Sequence, residues 1–589
     1  MGLAPQDLQF ADLMGRLATD AGPELLAAAA LCSRATGEGH LCLDLEAFAG
    51  REIAGVALPG IGGWRERLRG SGVVGEPGSF HPLILDPAGR LYLYRYWAYE
   101  SHLAEELVWR AGQPPEDIGP EHRSLLQQLF PAREGVKVDW QKLAAATALC
   151  RNLTVVSGGP GTGKTSTVVR ILALLTARAP ELRIALAAPT GKAAGRLEAS
   201  VRMAREALPL DREQRQRIPG EASTLHRLLG AEWGGGGYRY HGGSQLPLDV
   251  LILDEASMVD VAMMAHLVEA LPRRARLILL GDRFQLASVE AGAVLGDLCG
   301  DADGFSHPFR ERLRAVTGEK VPASPRPHPP PLADSVVYLR HSYRFSEASG
   351  VGRLAQAVRD GDAAASLTLL NAQDGPELGR LDDDRLLSGA VAGFRDYLSL
   401  VRGGEDPLRV FAAFDRFRVL AAMRRGRRGV EGLNHRLEQA LLEAGLLQSR
   451  EGWYQGRPVM VLQNDYGLRL YNGDIGIVLG GDGPGARVCF PDGEAGLRWI
   501  PPSRLPPHET AFVMTVHKSQ GSEFDRVLLV LPQEDRPLLT RELIYTAVTR
   551  ARERFQVCAP DAVWAAAVER RTRRSSGLRE ALWGPPVSA

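Results

Sequence analysis

Residues 158–165 read Gly-Gly-Pro-Gly-Thr-Gly-Lys-Thr and follow the apolar run 153–156. A strand, a glycine loop and a helix start in that order make a phosphate cradle. Gly158, Gly159, Gly161 and Gly163, spaced by Pro160 and Thr162, let backbone N–H groups converge on phosphate oxygens. The helix that begins near Gly163 points its positive dipole end at the same anion. Lys164 would reach the β- and γ-phosphates of ATP, and the Thr165 hydroxyl would hold Mg²⁺. Ser166, in the first helical turn, belongs to the same contact set.

A second motif, Leu-Ile-Leu-Asp-Glu-Ala-Ser at 251–257, delivers two carboxylates from the end of an apolar strand. Asp254 would hold the Mg²⁺ water shell, and Glu255 would orient and deprotonate an attacking water. The bland alternative is a solvated acidic pair in a loop, which a glycine loop upstream makes a poor account. Gln285 follows another apolar strand and is placed to sense the γ-phosphate and the water. Arg344, in His341-Ser342-Tyr343-Arg344-Phe345, and Arg550, near the end of the 545–552 segment, are candidates to neutralise the transferring phosphoryl group across a cleft. Their alternative is a surface ion pair, the usual fate of one arginine among 70 basic side chains.

These groups need elements to hold them. Short apolar strands are expected at 153–156, 184–188, 250–253 and 277–280, each ending in a polar cluster, with helical stretches between. Buried parallel strands read this way, with ligand chemistry at their carboxyl ends. A Pro-rich stretch at 301–335 is expected to be an irregular connection. A second series follows at 336–339, 417–421, 511–515, 527–531 and 555–559. Within it, short alternating strands near 450–508, with turns at Asn472-Gly473 and Asp492-Gly493, suggest a small β-barrel. The expected division is therefore a helical unit at 1–112, a first α/β lobe at 113–335 and a second at 336–589. In the first unit Leu8, Phe10, Leu13 and Leu17 recur at helical spacing, and residues 91–97 alternate as a strand would. The glycine run 234–237 reads as a hairpin tip.

The bulk properties narrow the function. The chain has 589 residues, too many for one core, so about three to five domains are expected. With 70 basic and 70 acidic side chains, a nucleic-acid site must be a local groove. The six scattered cysteines form no CxxC pair, which speaks for a reduced chain with buried thiols and against a zinc site. No membrane span is expected, and the location is read as cytoplasmic.

The ordered set of motifs resembles the superfamily 1 DNA helicases, and its local wording is similar to the RecD family. The resemblance runs over most of residues 85–560. It rests on Trp140-Gln141-Lys142, the glycine loop, Ala188-Pro189-Thr190-Gly191-Lys192, Ser223-Thr224-Leu225-His226, Asp254-Glu255-Ala256-Ser257, Ser342-Tyr343-Arg344-Phe345, Asn472-Gly473-Asp474 and Thr515-Val516-His517-Lys518-Ser519-Gln520-Gly521. It implies an α/β fold of two RecA-like P-loop lobes, an SH3-like insertion in the second, and a mainly helical N-terminal domain. It also implies that Gln141 reads the adenine edge, and that Thr190, Gly191, Lys192, Thr224, His226, Thr515, His517, Lys518, Ser519 and Gln520 grip single-stranded DNA. Movement from 5′ to 3′, RecB-like and RecC-like partner subunits, DNA ends as substrate and a bacterial, nucleoid-associated location are likewise implied. The residues 231–248 occupy the place of a strand-separating pin. No Asp…Glu-x-Lys nuclease constellation is found, so cleavage would belong to a partner. A stand-alone helicase and a nucleotide-dependent scaffold remain as alternatives.

Overall fold

The first α/β lobe is built on a six-stranded sheet in the order Val336–Leu339, Leu153–Gly158, Arg276–Gly281, Val250–Leu253, Ile184–Ala188, Ala222–Thr224, with every neighbouring pair parallel. Its central strands Val250–Leu253 and Arg276–Gly281 are largely apolar on both faces because both are covered. Leu251, Leu253, Leu277 and Leu279 point into one core, and Val250, Ile252, Ile278 and Leu280 into the other. That is the period-2 consequence of the pleat. The computed structural model describes the whole chain except residues 1, 54, 133–136, 232–236, 301–303, 346–348, 373–374, 466, 481–484, 493–495 and 585–589.

A second, five-stranded parallel sheet runs Leu378–Arg380, Ala551–Cys558, Phe524–Val530, Phe417–Ala421, Val513–Thr515. Between two of its strands the chain leaves to form a five-stranded antiparallel sheet, Leu497–Ile500, Val488–Pro491, Ile475–Val478, Pro458–Val461, His508–Thr510. It encloses its own small core of Val459, Val461, Val478, Val488 and Phe490. Gly473, with φ 94°, makes the expected Asn-Gly turn possible. The Asp492-Gly493 turn lies partly outside the described residues.

Four expectations need correction. Residues 91–97 are not one strand: the strand Arg90–Leu93 ends there and the helix Tyr94–Gly112 begins. Leu103, Leu107 and Ala111 recur every four residues and bury on the first lobe. Arg110 fastens that helix by donating to the carbonyls of Leu271 (3.0 Å) and Ala275 (2.6 Å). Packing thus puts the seam of the N-terminal unit near residue 93, not 112. Second, that unit is helical through Pro5–Leu17, Pro23–Gly37 and Ile61–Gly70, but these surround a four-stranded sheet, Cys42–Asp44, Arg90–Leu93, Leu83–Leu85, Val74–Gly75. Its strands have at most four residues, too short for alternation to show.

Third, residues 301–335 are not simply an irregular connection. Ser306 caps the helix His307–Thr317, and Phe309, Leu313 and Val316 bury against the first lobe. Fourth, Val336–Leu339 is the edge strand of the first sheet, paired with Leu153–Gly158, so the second lobe begins after it. The residues 231–248 do carry antiparallel bridges, Ala231 to Tyr238 and His241 to Ser244. The tip, from 232 to 236, lies outside the described residues. All six cysteines are buried and free. Among the described residues no helix is long and apolar enough to cross a membrane.

Candidate active site

The buried strand Leu153–Gly158 sits second in its sheet and launches the glycine loop from its carboxyl end. Gly161 (φ 76°) and Gly163 (φ 79°) take the left-handed conformation that turns the chain into the helix Lys164–Arg178. The space around them is tight. A Cβ on Gly161 would lie 2.2 Å from the Arg344 Cβ, and one on Gly163 would lie 2.1 Å from Gln141 Nε2. Tyr343 N donates to Gly161 O (2.8 Å), which pins the segment bearing Arg344 against the loop. Lys164 Nζ donates to Gly158 O at 2.5 Å and to Gly159 O at 3.3 Å.

Asp254 and Glu255 follow the strand Val250–Leu253. Asp254 N bonds Ala187 O, and its Oδ1 accepts from Glu255 N at 2.9 Å. Burial first, then the adjacent Glu255 charge, raises the Asp254 carboxyl well above the usual carboxylate range. Glu255 has φ 52°; among the described residues only it and Arg469 are non-glycines with positive φ. Such strain costs about 1–3 kcal/mol and clusters at working sites. Gln285 is buried, its Nε2 donating to Asp282 Oδ2 at 3.3 Å, while its Oε1 has no partner among the described residues.

Both arginines come from outside the first sheet. Arg344 Nη2 donates to Glu523 Oε1 (2.8 Å), and its buried Nη1 is unpartnered. Arg550 is buried and held by Thr546 O and Ser522 O. Gly159, Gly161, Gly163, Lys164, Thr165, Ser166, Asp254, Glu255, Gln285, Arg344 and Arg550 line one cavity of about 170 Å³. All six candidate catalytic residues therefore meet at one place. Gln141 lies beside the loop, but its Nε2 is spent on Thr162 O (2.9 Å), leaving only a free Oε1. Bidentate adenine reading needs both atoms, so this amide must release Thr162 first.

The glycine cradle, the lysine and the unpartnered Gln285 and Arg344 atoms fit a triphosphate. For Mg²⁺, Thr165 and Asp254 face the same cavity, and two protein oxygens are the sparse set this ion prefers. Among the described residues no group of three or more His, Cys, Asp or Glu side chains converges as a dedicated metal cage.

Sequence reasoning missed Glu523, Arg196, Asp282 and Tyr545. Glu523 binds Arg196 of the first lobe (2.5 Å), Arg344 (2.8 Å) and Arg552 (3.3 Å). Burial would raise its carboxyl; Arg196 and Arg344 overcome that and hold it down at about 2. A depressed acid adds stability above its unfolded value and loses it as pH falls through the folded one. Glu523→Gln is therefore expected to lower stability by about 3 kcal/mol at neutral pH. Its denaturant midpoint should converge on that of the wild type as pH drops from about 5 toward 2. A gap independent of pH would exclude the clamp. The signal for Glu523 was its place two residues after Gly521, which ends the motif; nothing marked Arg196 as its partner.

The candidate DNA contacts divide. Thr190 and Thr224 cap helices, their hydroxyls accepting from Ala193 N and Arg227 N. His226 is exposed. Gly191 lies under Tyr471, from the loop between the strands Pro458–Val461 and Ile475–Val478, where a Cβ would meet a ring atom at 2.7 Å. Lys192 is drawn down to about 8 by burial, with Asp415 and Asp474 opposing. Thr515 accepts from Lys518 N, and Lys518 Nζ reaches Asn472 Oδ1 (2.5 Å). Burial also lowers the His517 imidazole. Ser519 and Gln520 are placed differently from Lys518. Both side chains turn inward, Ser519 Oγ donating to Val516 O and Gln520 Nε2 crossing to Leu286 O of the first lobe (2.9 Å). Both are buried and hold backbone and lobes.

Fold and site together define a two-lobed P-loop α/β protein with the candidate cavity at the seam. Comparison with known proteins refines this. The N-terminal domain of RecBCD enzyme subunit RecD matches residues 2–92, an AAA domain 141–291 and a UvrD-like helicase C-terminal domain 510–557. The chain is 39% identical to RecBCD enzyme subunit RecD of Mycolicibacterium smegmatis, over 98% of this chain and 97% of that one. It is 36% identical to the Haemophilus influenzae subunit, over 94% and 92%. It is also 31% identical to the ATP-dependent RecD2 DNA helicase of Deinococcus radiodurans, over 84% of this chain and 59% of that one. The chain belongs to the RecD family.

Proposed function

We propose that this chain is an ATP-driven DNA helicase and translocase, the RecD-like subunit of a RecBCD-type helicase–nuclease. One observation carries the reading: Lys164, Asp254, Glu255, Gln285, Arg344 and Arg550 line a single cavity between two parallel sheets. Family membership and the helicase names of the relatives support it.

ATP is the substrate in this cavity, and Mg²⁺, when bound, would neutralise phosphate charge. Thr165 and Asp254 would hold the ion. Lys164 leaves its loop carbonyls for the phosphate oxygens. Glu255 accepts the proton of the attacking water, which Gln285 orients through its free Oε1. Arg344 and Arg550 meet the charge that spreads over the transferring group. ADP and phosphate leave, and the two lobes part.

Strand grip falls to Thr190, Gly191, Lys192, Thr224, His226, Thr515, His517 and Lys518, through backbone amides, capping hydroxyls and cations that position phosphates. The lobes are read as RecA-like, the first ending near residue 340, and the antiparallel sheet as the SH3-like insertion. The N-terminal unit is read as the docking domain for RecB-like and RecC-like subunits, and the bacterial nucleoid as the place of work. ATPase and unwinding assays on duplexes with 5′ or 3′ tails test the whole reading. Single-stranded DNA should stimulate turnover, and 5′-tailed duplexes should open. Turnover indifferent to DNA would overturn it; opening of 3′-tailed duplexes alone would reverse the polarity.

A further inference from the structure

A row of aromatic rings leaves the proposed DNA path at His226. The His226 ring lies 6.3 Å from that of Tyr238, Tyr238 lies 5.2 Å from His266, and His266 lies 5.3 Å from Tyr99. Tyr96 follows at 6.5 Å, with the Arg95 guanidinium 5.0 Å above its ring. These rings come from the helices Leu225–Leu229, Val261–Ala270 and Tyr94–Gly112 and from the bridged segment after residue 237. They are half-buried or exposed, so faces remain open to solvent. Around Tyr96, Tyr99, Tyr238 and His266 the surface sinks into a second cavity of about 280 Å³. It shares no lining residue with the nucleotide cavity.

The chemistry of the walls selects an occupant. Aromatic faces stack on unpaired bases whatever their identity. Two carboxylates, Asp260 and Glu290, also line the cavity. They repel a phosphate, so a strand entering here puts its base inward and its backbone outward, toward Arg95. Carboxylate oxygens accept from exocyclic amino groups, which cytosine, adenine and guanine carry and thymine lacks. The cavity has room for one base with part of its sugar. Continuity with His226 favours a nucleic-acid strand over a protein side chain.

We propose that this cavity holds one unpaired base of the DNA strand beyond His226, and that it prefers amino-bearing bases to thymine. The proposal rests on the reading of the chain as a single-strand DNA motor.

The test measures binding of oligo(dC) and oligo(dT), about 6 and about 20 nucleotides long, to the full-length protein by fluorescence anisotropy. The variants are Tyr99→Ala, Tyr99→Phe and, at the exposed rim, Arg95→Ala. Tyr99→Ala should weaken binding of the long oligo(dC) about tenfold, with a smaller loss for oligo(dT). Tyr99→Phe keeps the ring and should stay within about twofold, and Arg95→Ala should weaken the long oligonucleotides only. A structural defect would weaken both lengths alike. Unchanged affinity of Tyr99→Ala for the long strand, with its ATPase still stimulated by DNA, would overturn the proposal. So would loss of association with partner subunits while DNA binding stays intact, since that makes the groove a protein contact. Wild-type turnover that ignores DNA altogether would instead sink the motor reading, and this site with it.

Discussion

Lys164→Gln should lower ATP turnover by about a hundredfold to a thousandfold, equal to about 2.7–4 kcal/mol of lost transition-state stabilisation. The effect is electrostatic and local. The Lys164 ammonium is held in the cavity by two loop carbonyls, Gly158 and Gly159, and shares that cavity with Asp254 and Glu255. Glutamine keeps a donor but loses the charge that must follow the phosphoryl group. The loop itself should survive, because its shape is set by Gly161 and Gly163 and by the Thr162 Oγ1 bond to Gly159 O (2.8 Å). Steady-state phosphate release measures the effect, and an unchanged thermal midpoint separates it from unfolding. Full turnover in the variant would refute the assignment of the loop to ATP.

Arg344→Ala carries the other large effect, a fall in kcat of about a thousandfold or more with a smaller change in KM. Arg344 stands across the loop from Lys164 and keeps one buried nitrogen, Nη1, unpartnered. An unpaired guanidinium nitrogen in a buried setting costs stability unless something binds there. Its other anchor, Glu523, retains Arg196 and Arg552 when Arg344 is removed, so the seam between the lobes should hold. Arg344→Lys should recover little, because a point charge cannot reproduce the planar fork. A variant that turns over ATP at the wild-type rate would place Arg344 in the Glu523 clamp alone. The motor reading would then depend on Arg550.

The chemistry of the nucleotide site was legible in the sequence because it rides on short, contiguous segments. A glycine loop, an Asp-Glu pair after an apolar strand and a glutamine after the next strand each declare themselves within about eight residues. The parallel strands declared themselves too, since burial on both faces leaves unbroken apolar runs such as Val250–Leu253. Less legible were elements whose partners are distant. Residues 91–97 alternate like a strand, yet only the packing of Leu103, Leu107 and Ala111 on the first lobe shows where the helix begins. Val336–Leu339 reads equally well as the start of a second sheet until its register with Leu153–Gly158 is seen.

Sequence alone, then, determined which groups are candidates for the chemistry and which apolar strands they follow. Tertiary structure decided which side chains face the cavity and which are spent on the fold. Ser519 and Gln520 sit in the same motif as His517 and Lys518, but a short helical turn, His517–Ser519, sends them inward. Glu523 became the hinge of three arginines only because Arg196, far away in the chain, was brought to it by the meeting of the lobes. The physical reason is that residue type and local spacing encode backbone conformation and intrinsic reactivity. Burial, charge pairing and ring stacking depend instead on neighbours that the chain supplies from hundreds of residues away.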